Sequence, residues 1–439
     1  MNTAQTFART SDTSSAADAP TPLSSYRWYV LAVLVLVYAC HYLDRTVVSV
    51  VLEAVKQEFS LSDGQLGLLS GLIYGISFAI AGIPLGVLID RVNRKKLLSG
   101  LLLIWSLLTT LSGLAQSFVN LLLARVGVGA AEAGGSPTAM SIISDTFPRH
   151  ERATAMGIFF LSGPIGFVAS FALGGWIVAE YGWRAAFFAA GIPGILLAVL
   201  IFTTVREPAR GAYDPETAHQ QNSAPTYAET LKLIVRRRSL LFLMLAALFS
   251  SSVQASFLAW VVPFFMRLHD MNVTEAGTNV ALAIGVFGAI STPFAGWLAD
   301  RIGKRDPRRM LWFVGTATAL VVPVGLALVL TPSTSAAVVL LMLMNVLMQM
   351  WLGASYGLTL SLAPSRMRGM STATLQVANN LIGAGLAPFL VGVLSDWYGG
   401  SDSLRWALAT LLIVDLAAAA CYFLATRTLR SDLQQFSVS

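Results

Sequence analysis

The sequence predicts an all-α polytopic membrane protein with twelve transmembrane helices in two six-helix, pseudo-symmetric bundles. Three observations predict it. Hydrophobic residues are 55% of the 439 and the mean hydropathy is +0.68, while twelve crossings of ~20 residues would use ~240. Charged residues are only 12%, against about a quarter in soluble domains. That excludes a disordered chain, a nucleic-acid-binding domain and a soluble two-domain enzyme as good fits. The apolar runs also fall into two sets of six around one polar stretch.

In chain order, residues 1–26 are rich in Ser, Thr, Ala and Pro and read as a disordered cytoplasmic tail. Apolar segments at about 27–52, 65–89, 97–116, 119–143, 154–178 and 183–204 form an N-terminal bundle over 27–205. A cytoplasmic linker over 206–238 follows. Segments at about 239–266, 276–299, 309–331, 335–361, 370–395 and 404–426 then form a second bundle over 239–427, and 428–439 is a cytoplasmic tail. Each run is long enough to cross, and helix is the default because backbone polar groups in lipid must be satisfied within their own segment. The third and fourth runs are parted only by the turn region Gln116–Asn120.

With the N-terminus inside, the presumed cytoplasmic segments carry 23 of the 29 Lys and Arg, and the outer loops carry Lys56, Arg184, Arg267 and Arg405. Arg45 and Arg125 fall within spans. The asymmetry places both termini in the cytoplasm. It also explains the net charge of +6 without a nucleic-acid partner. Cys40 and Cys421 lie in apolar runs and read as packing residues, and the four histidines form no metal motif.

The halves repeat. Gly86-Val-Leu-Ile-Asp90-Arg91 ends the second span and Gly296-Trp-Leu-Ala-Asp300-Arg301 ends the eighth, with Arg94, Lys95 and Lys96 after the first copy and Lys304 and Arg305 after the second. Pro148-Arg149-His150-Glu151-Arg152 after the fourth span is matched by Pro364-Ser365-Arg366-Met367-Arg368 after the tenth. Gly-x-x-x-Asp-Arg followed by basic residues, in both halves, resembles the loop signature of the major facilitator superfamily, although Asn93 stands where the general signature often has glycine. Tyr42-Leu43-Asp44-Arg45, Asp90-Arg91-Val92-Asn93-Arg94-Lys95 and Trp105-Ser106 are similar to Spinster-type transporters. Arg125, Gly129, Glu132-Ala133, Pro137 and Ser144-Asp145-Thr146-Phe147 agree, with Ala131 where a glycine is expected. The superfamily resemblance covers about 27–430 and the Spinster motifs lie mainly in the first half. The resemblance implies alternating access, spans 1, 4, 7 and 10 lining the path, residence in a bacterial inner membrane, and a lipid-like substrate such as a sphingoid phosphate or lysophospholipid. A monomer is expected.

An ionisable side chain at mid-bilayer costs about 2.5–3.5 kcal/mol on insertion scales and so faces protein or a wet cavity. Asp44, Arg45, Arg125, Glu132 and Asp415 stand at that depth. Adjacent helical positions point ~100° apart, so Asp44 and Arg45 diverge, whereas Arg125 and Glu132, seven apart, share a face about 10 Å from each other. We expect Asp44 within reach of Arg125, with Glu132 at another depth of the same cavity. Burial disfavours a charged carboxylate and a nearby arginine favours it, so an opening cavity alternates the acids between charged and neutral. Asp44 is the first candidate for the proton carrier and Glu132 the second. Arg45, Arg125 and His41 are candidates for the charge pairs and the anionic substrate. Two static ion pairs locking spans 1 and 4 are the structural alternative. Asp415, in the last span, receives no transport role.

Cavity-lining candidates are Tyr42, Gln254, Trp260, Asn345, Gln349, Trp351, Tyr356, Gln376 and Asn379, with Asn380 beside them. An interhelical hydrogen bond is the alternative role of each amide. Charge in the amino half facing aromatic and aliphatic surface in the carboxyl half suits an amphipathic anion better than a sugar. A cytoplasmic gate is expected from Gly86, Asp90, Arg91, Arg94, Asp145, Arg152, Asp300, Arg301 and Lys304, with Arg91 paired to Asp145 and with Gly86 and Gly296 allowing close helix contact. Gly67, Gly71 and Gly75 give span 2 a smooth packing face. Gly163-Pro164-Ile165-Gly166, and Gly383, Gly385 and Pro388, read as hinges.

The function these features predict is a proton-coupled secondary active transporter of a lipid-like amphipathic anion. The proton gradient is its energy source, no cofactor or metal is expected, and its partners are the substrate, protons and membrane lipids. A small organic-anion symporter or drug/proton antiporter of the same fold is the alternative, and a transport-inactive sensor or scaffold is the alternative of another class. The chain carries no nucleophile–base pair at membrane depth and no P-loop, so an enzyme is not expected.

Overall fold

The computed structural model describes residues 24–437 except 149, 212, 214–226, 305, 365 and 366. Residues 1–23 of the expected tail and the middle of the linker lie outside the described residues. Among the described residues, eleven helices are long and apolar enough to cross a membrane. They are α1 (Ser25–Phe59), α2 (Asp63–Ile89), α3 (Arg94–Ser112), α5 (Arg152–Tyr181), α6 (Trp183–Thr204), α7 (Arg238–Leu268), α8 (Val273–Gly303), α9 (Pro307–Leu330), α10 (Thr334–Leu362), α11 (Met370–Tyr398) and α12 (Ser403–Asp432). The remaining crossing, α4, is broken into Phe118–Glu132 and Gly135–Thr146. The break falls at Ala133 and Gly134, where a Cβ on Gly134 would stand 2.6 Å from the Leu101 side chain. The linker holds a helix, Tyr227–Arg236, and the last helix runs on to Ser437, so most of the expected tail after 427 is helical.

The repeat seen in the loop motifs extends to the helix starts. Ser62 and Gln65 form a capping box at the start of α2, and Asn272 and Glu275 form one at the start of α8. Asn93 caps α3 by accepting from Lys96 N–H (2.9 Å), as Asp306 caps α9. That cap is a reason for asparagine where the general signature has glycine, since its φ of −65° demands no glycine. Ser117 and Ser333 cap α4 and α10.

Among the described residues, four helices also contain a π-type turn, which admits one extra residue per turn. The turns lie at Leu68–Leu72 in α2, Ala169–Leu173 in α5, Ala281–Val286 in α8 and Asn379–Leu386 in α11. These helices form two seams between the halves, α2 against α11 and α5 against α8, beside the packing of α1 on α7.

Glycine makes that seam possible. A Cβ on Gly67, Gly71 or Gly75 would lie 2.8 Å from Pro388 O, 2.6 Å from Gly385 O and 2.9 Å from Asn380 O of α11. On the other seam, a Cβ on Gly277 would lie 2.2 Å from Phe171 O. Gly163-Pro164-Ile165-Gly166 packs α5 onto α1, where a Cβ on Gly166 would stand 2.6 Å from Ala39 O, and the π turn follows it.

These contacts lie toward the face opposite the termini. Toward the terminal face, a Cβ on Gly82, Gly86, Gly157 or Gly357 would meet nothing within 4 Å, and Ile80 and Ile83 are 71% and 73% exposed. The halves are therefore joined at the far face and open toward the termini. Gly86, expected in a close helix contact, faces open space for this reason, whereas Gly353 approaches Gly296 within its own half, with a Cβ 3.7 Å from Gly296 Cα.

Gly71→Val should lower stability by about 1–3 kcal/mol, the usual effect of overpacking, while Gly82→Val on the same helix leaves it nearly unchanged. Thermal unfolding of the detergent-solubilised pair measures the difference.

Candidate functional site

α1 brings His41, Tyr42, Asp44 and Arg45 to mid-membrane, and the first segment of α4 places Arg125 and Glu132 beside them. Asp44, Arg125 and Glu132 are each about 1% exposed. The expected Asp44–Arg125 pairing takes another form: Arg125 Nη1 donates to the backbone carbonyl of Asp44 (3.3 Å) rather than to its carboxylate. Arg125 Nε and Nη2 and Glu132 Oε1 are buried without a hydrogen-bond partner, and the Asp44 carboxyl faces the Thr109 hydroxyl of α3. Such groups are expensive to bury unpaired and cluster here.

Tyr74 of α2, a residue the sequence reading passed over, organises the cluster. Its hydroxyl donates to Glu132 Oε2 (2.6 Å), and the Arg45 and Arg125 guanidinium carbons lie 5.2 and 5.3 Å from its ring centroid. His41 serves Glu132 rather than Asp44. Its Nδ1 is 3.3 Å from Glu132 Oε2, and its ring stacks on Tyr38. Tyr74 stood unmarked because its glycine-rich apolar run reads as packing, and an aromatic in such a run gives no chemical signal.

The two arginines differ in access. Arg125 is sealed within the amino half. Arg45 is half-buried and lines a cavity of about 40 Å³ between the halves, with Thr46, Ser49, Ser70, Leu258, Ala384 and Pro388 among its walls. Among the described residues no carboxylate lies within ion-pair distance of Arg45. One turn farther along α1, Ser49 Oγ bonds the Leu258 and Ala259 carbonyls of α7 at 3.0 and 2.7 Å, closing the cavity toward the far face.

The carboxyl-half candidates divide. Gln254, Gln349, Tyr356 and Asn379 are half-buried, and Gln376 is exposed. Tyr356 faces Asn379 and Tyr42. Trp260, Trp351 and Asn345 do not line the opening. Trp260 is fully buried with Nε1 donating to Pro388 O (2.9 Å), Trp351 is buried, and Asn345 donates to Ala283 O (2.9 Å). Asp415 is buried beside Ser250 and Tyr422 of the carboxyl half, away from the central cluster.

The gate residues also resolve differently. Arg94, not Arg91, meets Asp145 (2.5 Å); it also bonds Glu207 (2.9 Å), Ser141 Oγ (2.9 Å) and Pro208 O (2.9 Å). Arg91, three residues earlier, is exposed. This clasp lies within the amino half and the first linker residues, so it does not bind the halves together. Arg152 donates to Phe147 O (3.1 Å), Arg301 lies over Trp297, and Lys304 borders a surface hollow with Pro307 and Met310. The side chains of Asp90 and Asp300 lie outside the described residues.

The closed far face has its own network, absent from the sequence reading. Arg267 of α7 pairs with Glu53 of α1 and with Asp63 of α2 (2.7 Å). Lys56 (2.6 Å) and the Ser395 hydroxyl of α11 (2.6 Å) also bind the Asp63 carboxylate. Asp396 of α11 accepts from the backbone N–H groups of Asp63 (2.8 Å) and Gly64 (2.7 Å), capping a helix of the other half. Lys56 and Arg267 had been counted only as outer-loop charges.

The sequence profile described as the Major Facilitator Superfamily matches residues 34–388. The chain belongs to that superfamily. An MFS-type efflux pump of Mycolicibacterium smegmatis is 31% identical over 414 residues, which are 92% of this chain and 94% of that protein. A protein of Escherichia coli (strain K12) named "Probable L-galactonate transporter" is 27% identical, with 94% of each chain covered. The crystal structure of a bacterial homologue of the human lysosomal transporter Spinster, inward-facing and unoccupied, superposes with a TM-score of 0.86 at 30% identity, covering 94% of this chain and 99% of that one. The chain is Spinster-like, and it is a transporter rather than an enzyme.

Removing the shared cation of the far-face network leaves Glu53 and Asp63 partly buried with Lys56 alone, a loss of about 3 kcal/mol for a well-buried pair. Arg267→Gln should therefore shift the protein toward separation of that face. Spin labels at Ser62→Cys and Ser401→Cys, with Cys40 and Cys421 replaced by serine, should report a longer distance in the variant.

Proposed function

We propose that this superfamily member is a proton-coupled symporter of an organic anion. Asp44 and Glu132 carry the protons, Arg45 anchors the anion, and both termini are cytoplasmic in a bacterial inner membrane. The observation that carries the reading is the charge balance of the buried cluster. Glu132 and two guanidinium groups meet at Tyr74, Asp44 lies beside Arg125, and no carboxylate lies within ion-pair distance of Arg45 or Arg125 among the described residues.

With both acids ionised the four groups sum to zero. Each proton taken up leaves one uncompensated positive charge, which is costly in a medium of low polarity. An anion at Arg45 removes that excess. Proton and anion thus favour each other, and the loaded cluster returns to neutrality while the carrier rocks. Each tenfold preference for the doubly loaded state is about 1.4 kcal/mol, enough to bias a two-state equilibrium. The opening toward the termini is the cytoplasmic one, and the Glu53–Arg267–Asp63 network seals the outside in this state. The sugar-acid name of the Escherichia coli relative supports the anion.

The amphipathic, lipid-like anion is the second reading. One observation favours it: α2 presents Ile80, Ile83 and Val87 in an exposed apolar row toward the open end. Against it, two of the aromatics expected to line the carboxyl half, Trp260 and Trp351, are buried, leaving mainly amides.

Reconstituted protein should accumulate its substrate when a pH gradient is imposed. Asp44→Asn and Glu132→Gln should abolish gradient-driven accumulation but retain exchange of substrate across the membrane. Arg45→Gln should weaken substrate binding at least about tenfold, the effect of losing one charge-assisted bond. Unchanged gradient dependence in both acid variants would remove the coupling assignment.

A further inference from the structure

The carboxyl half holds a hydrogen-bonded chain that faces the opening and belongs to no gate. Thr292 Oγ1 of α8 donates to Gly288 O (2.8 Å), Gln349 Nε2 of α10 donates to Thr292 Oγ1 (2.9 Å), and Gln254 Nε2 of α7 donates to Gln349 Oε1 (2.8 Å). Amide oxygen and nitrogen are distinguished only by their partners, and here the partners decide. A carbonyl can only accept, so the Thr292 hydrogen is committed to Gly288 and Thr292 can only accept from Gln349. Gln349 must then turn its oxygen to Gln254, and Gln254 must answer with its nitrogen. The chain ends in the Gln254 carbonyl oxygen, for which no partner is found among the described residues.

That end is well placed. Gln254 is half-buried and lies one helical turn from Leu258, a wall of the Arg45 cavity, on its terminal-face side. Tyr42 is one turn from Arg45 in the same direction on α1. A ligand held by Arg45 and extending toward the opening therefore passes between Tyr42 and Gln254. What it meets on the carboxyl side is a fixed acceptor, backed by Gln349 and Thr292.

We propose that Gln254 is a specificity-determining residue that recognises a hydroxyl group, and that the substrate is a hydroxylated carboxylate. The proposal rests on the reading of Arg45 as the anion anchor and adds the second point of recognition. A bare alkyl chain would leave the Gln254 oxygen desolvated and unpaired, whereas a substrate hydroxyl donates to it. Sites that hydrogen-bond a hydroxyl discriminate against analogues lacking it far more than apolar pockets discriminate by size.

The test uses the full-length protein in liposomes loaded with a pH-sensitive dye, reading anion-driven proton entry. The probes are D-gluconate, a six-carbon polyhydroxy acid, hexanoate, the same chain length without hydroxyls, and lysophosphatidate. Gluconate should half-saturate at a concentration at least about tenfold below hexanoate, the value of one good hydrogen bond. Gln254→Leu should erase that ratio by weakening gluconate alone, and Thr292→Val, which frees the amide polarity, should reduce it. Because the ratio is internal, a variant that merely folds poorly lowers both fluxes without moving it. Equal half-saturation in the parent protein, or a ratio unmoved by Gln254→Leu, overturns the hydroxyl assignment and leaves the anion carrier intact. Proton entry with lysophosphatidate but with neither carboxylate overturns the carboxylate reading, and Gln254's role with it.

Discussion

Charge inside hydrocarbon must be balanced, and the rest of this structure is arranged around that requirement. The amino half gathers Glu132 and two guanidinium groups around Tyr74, with Asp44 beside Arg125 and His41 beside Glu132. A cluster that sums to zero can stay buried, while one that is a proton or an anion away from zero cannot do so cheaply. Tyr74 matters because it gives the arginines a partner that is not a carboxylate. Its ring accepts their positive faces and its hydroxyl holds Glu132, so neither arginine is locked in an ion pair with an acid.

Translating such a balance into movement needs a seam that separates at one end and holds at the other. The glycines of α2 let backbone approach backbone, and the π turns fall in all four seam helices. The far face is then fastened by polar links that cross between halves, while the clasp centred on Arg94 stays within one half. This state is consequently asymmetric in a specific way: the ties between halves are on the side away from the termini, and the basic motif loops on the other side are left facing outward.

Much of this was legible in the chain. Apolar length gave eleven continuous crossings, and the broken α4 was still found because hydropathy ignores a two-residue break at Ala133 and Gly134 that interrupts the helix. The stripe of Gly67, Gly71 and Gly75 gave the packing face correctly, since spacing alone decides which side of a helix is smooth. The four mid-membrane charges were visible as isolated residues in apolar runs. Their partners were not, because pairing depends on interhelical rotation: Arg94 rather than Arg91 reaches Asp145, and Arg125 finds a carbonyl instead of a carboxylate. Trp260 and Trp351 illustrate the same limit, an aromatic near a cavity in sequence being as readily turned into the packing between helices. The far-face network was hidden because charges near span ends satisfy an orientation rule whether or not they also meet.

The cap that Asp396 places on α2 has a further bearing on how the far-face seal behaves. Its two bonds join a carboxylate to backbone donors at a helix start, so parting the halves hands both an anion and a positive dipole end to water at once. Dissolved ions weaken attractions of that kind between wetted groups, while leaving the glycine-lined backbone contacts below them nearly indifferent. The medium bathing that face would thus hold some control over how readily the halves part there, with brine loosening the latch and dilute surroundings tightening it.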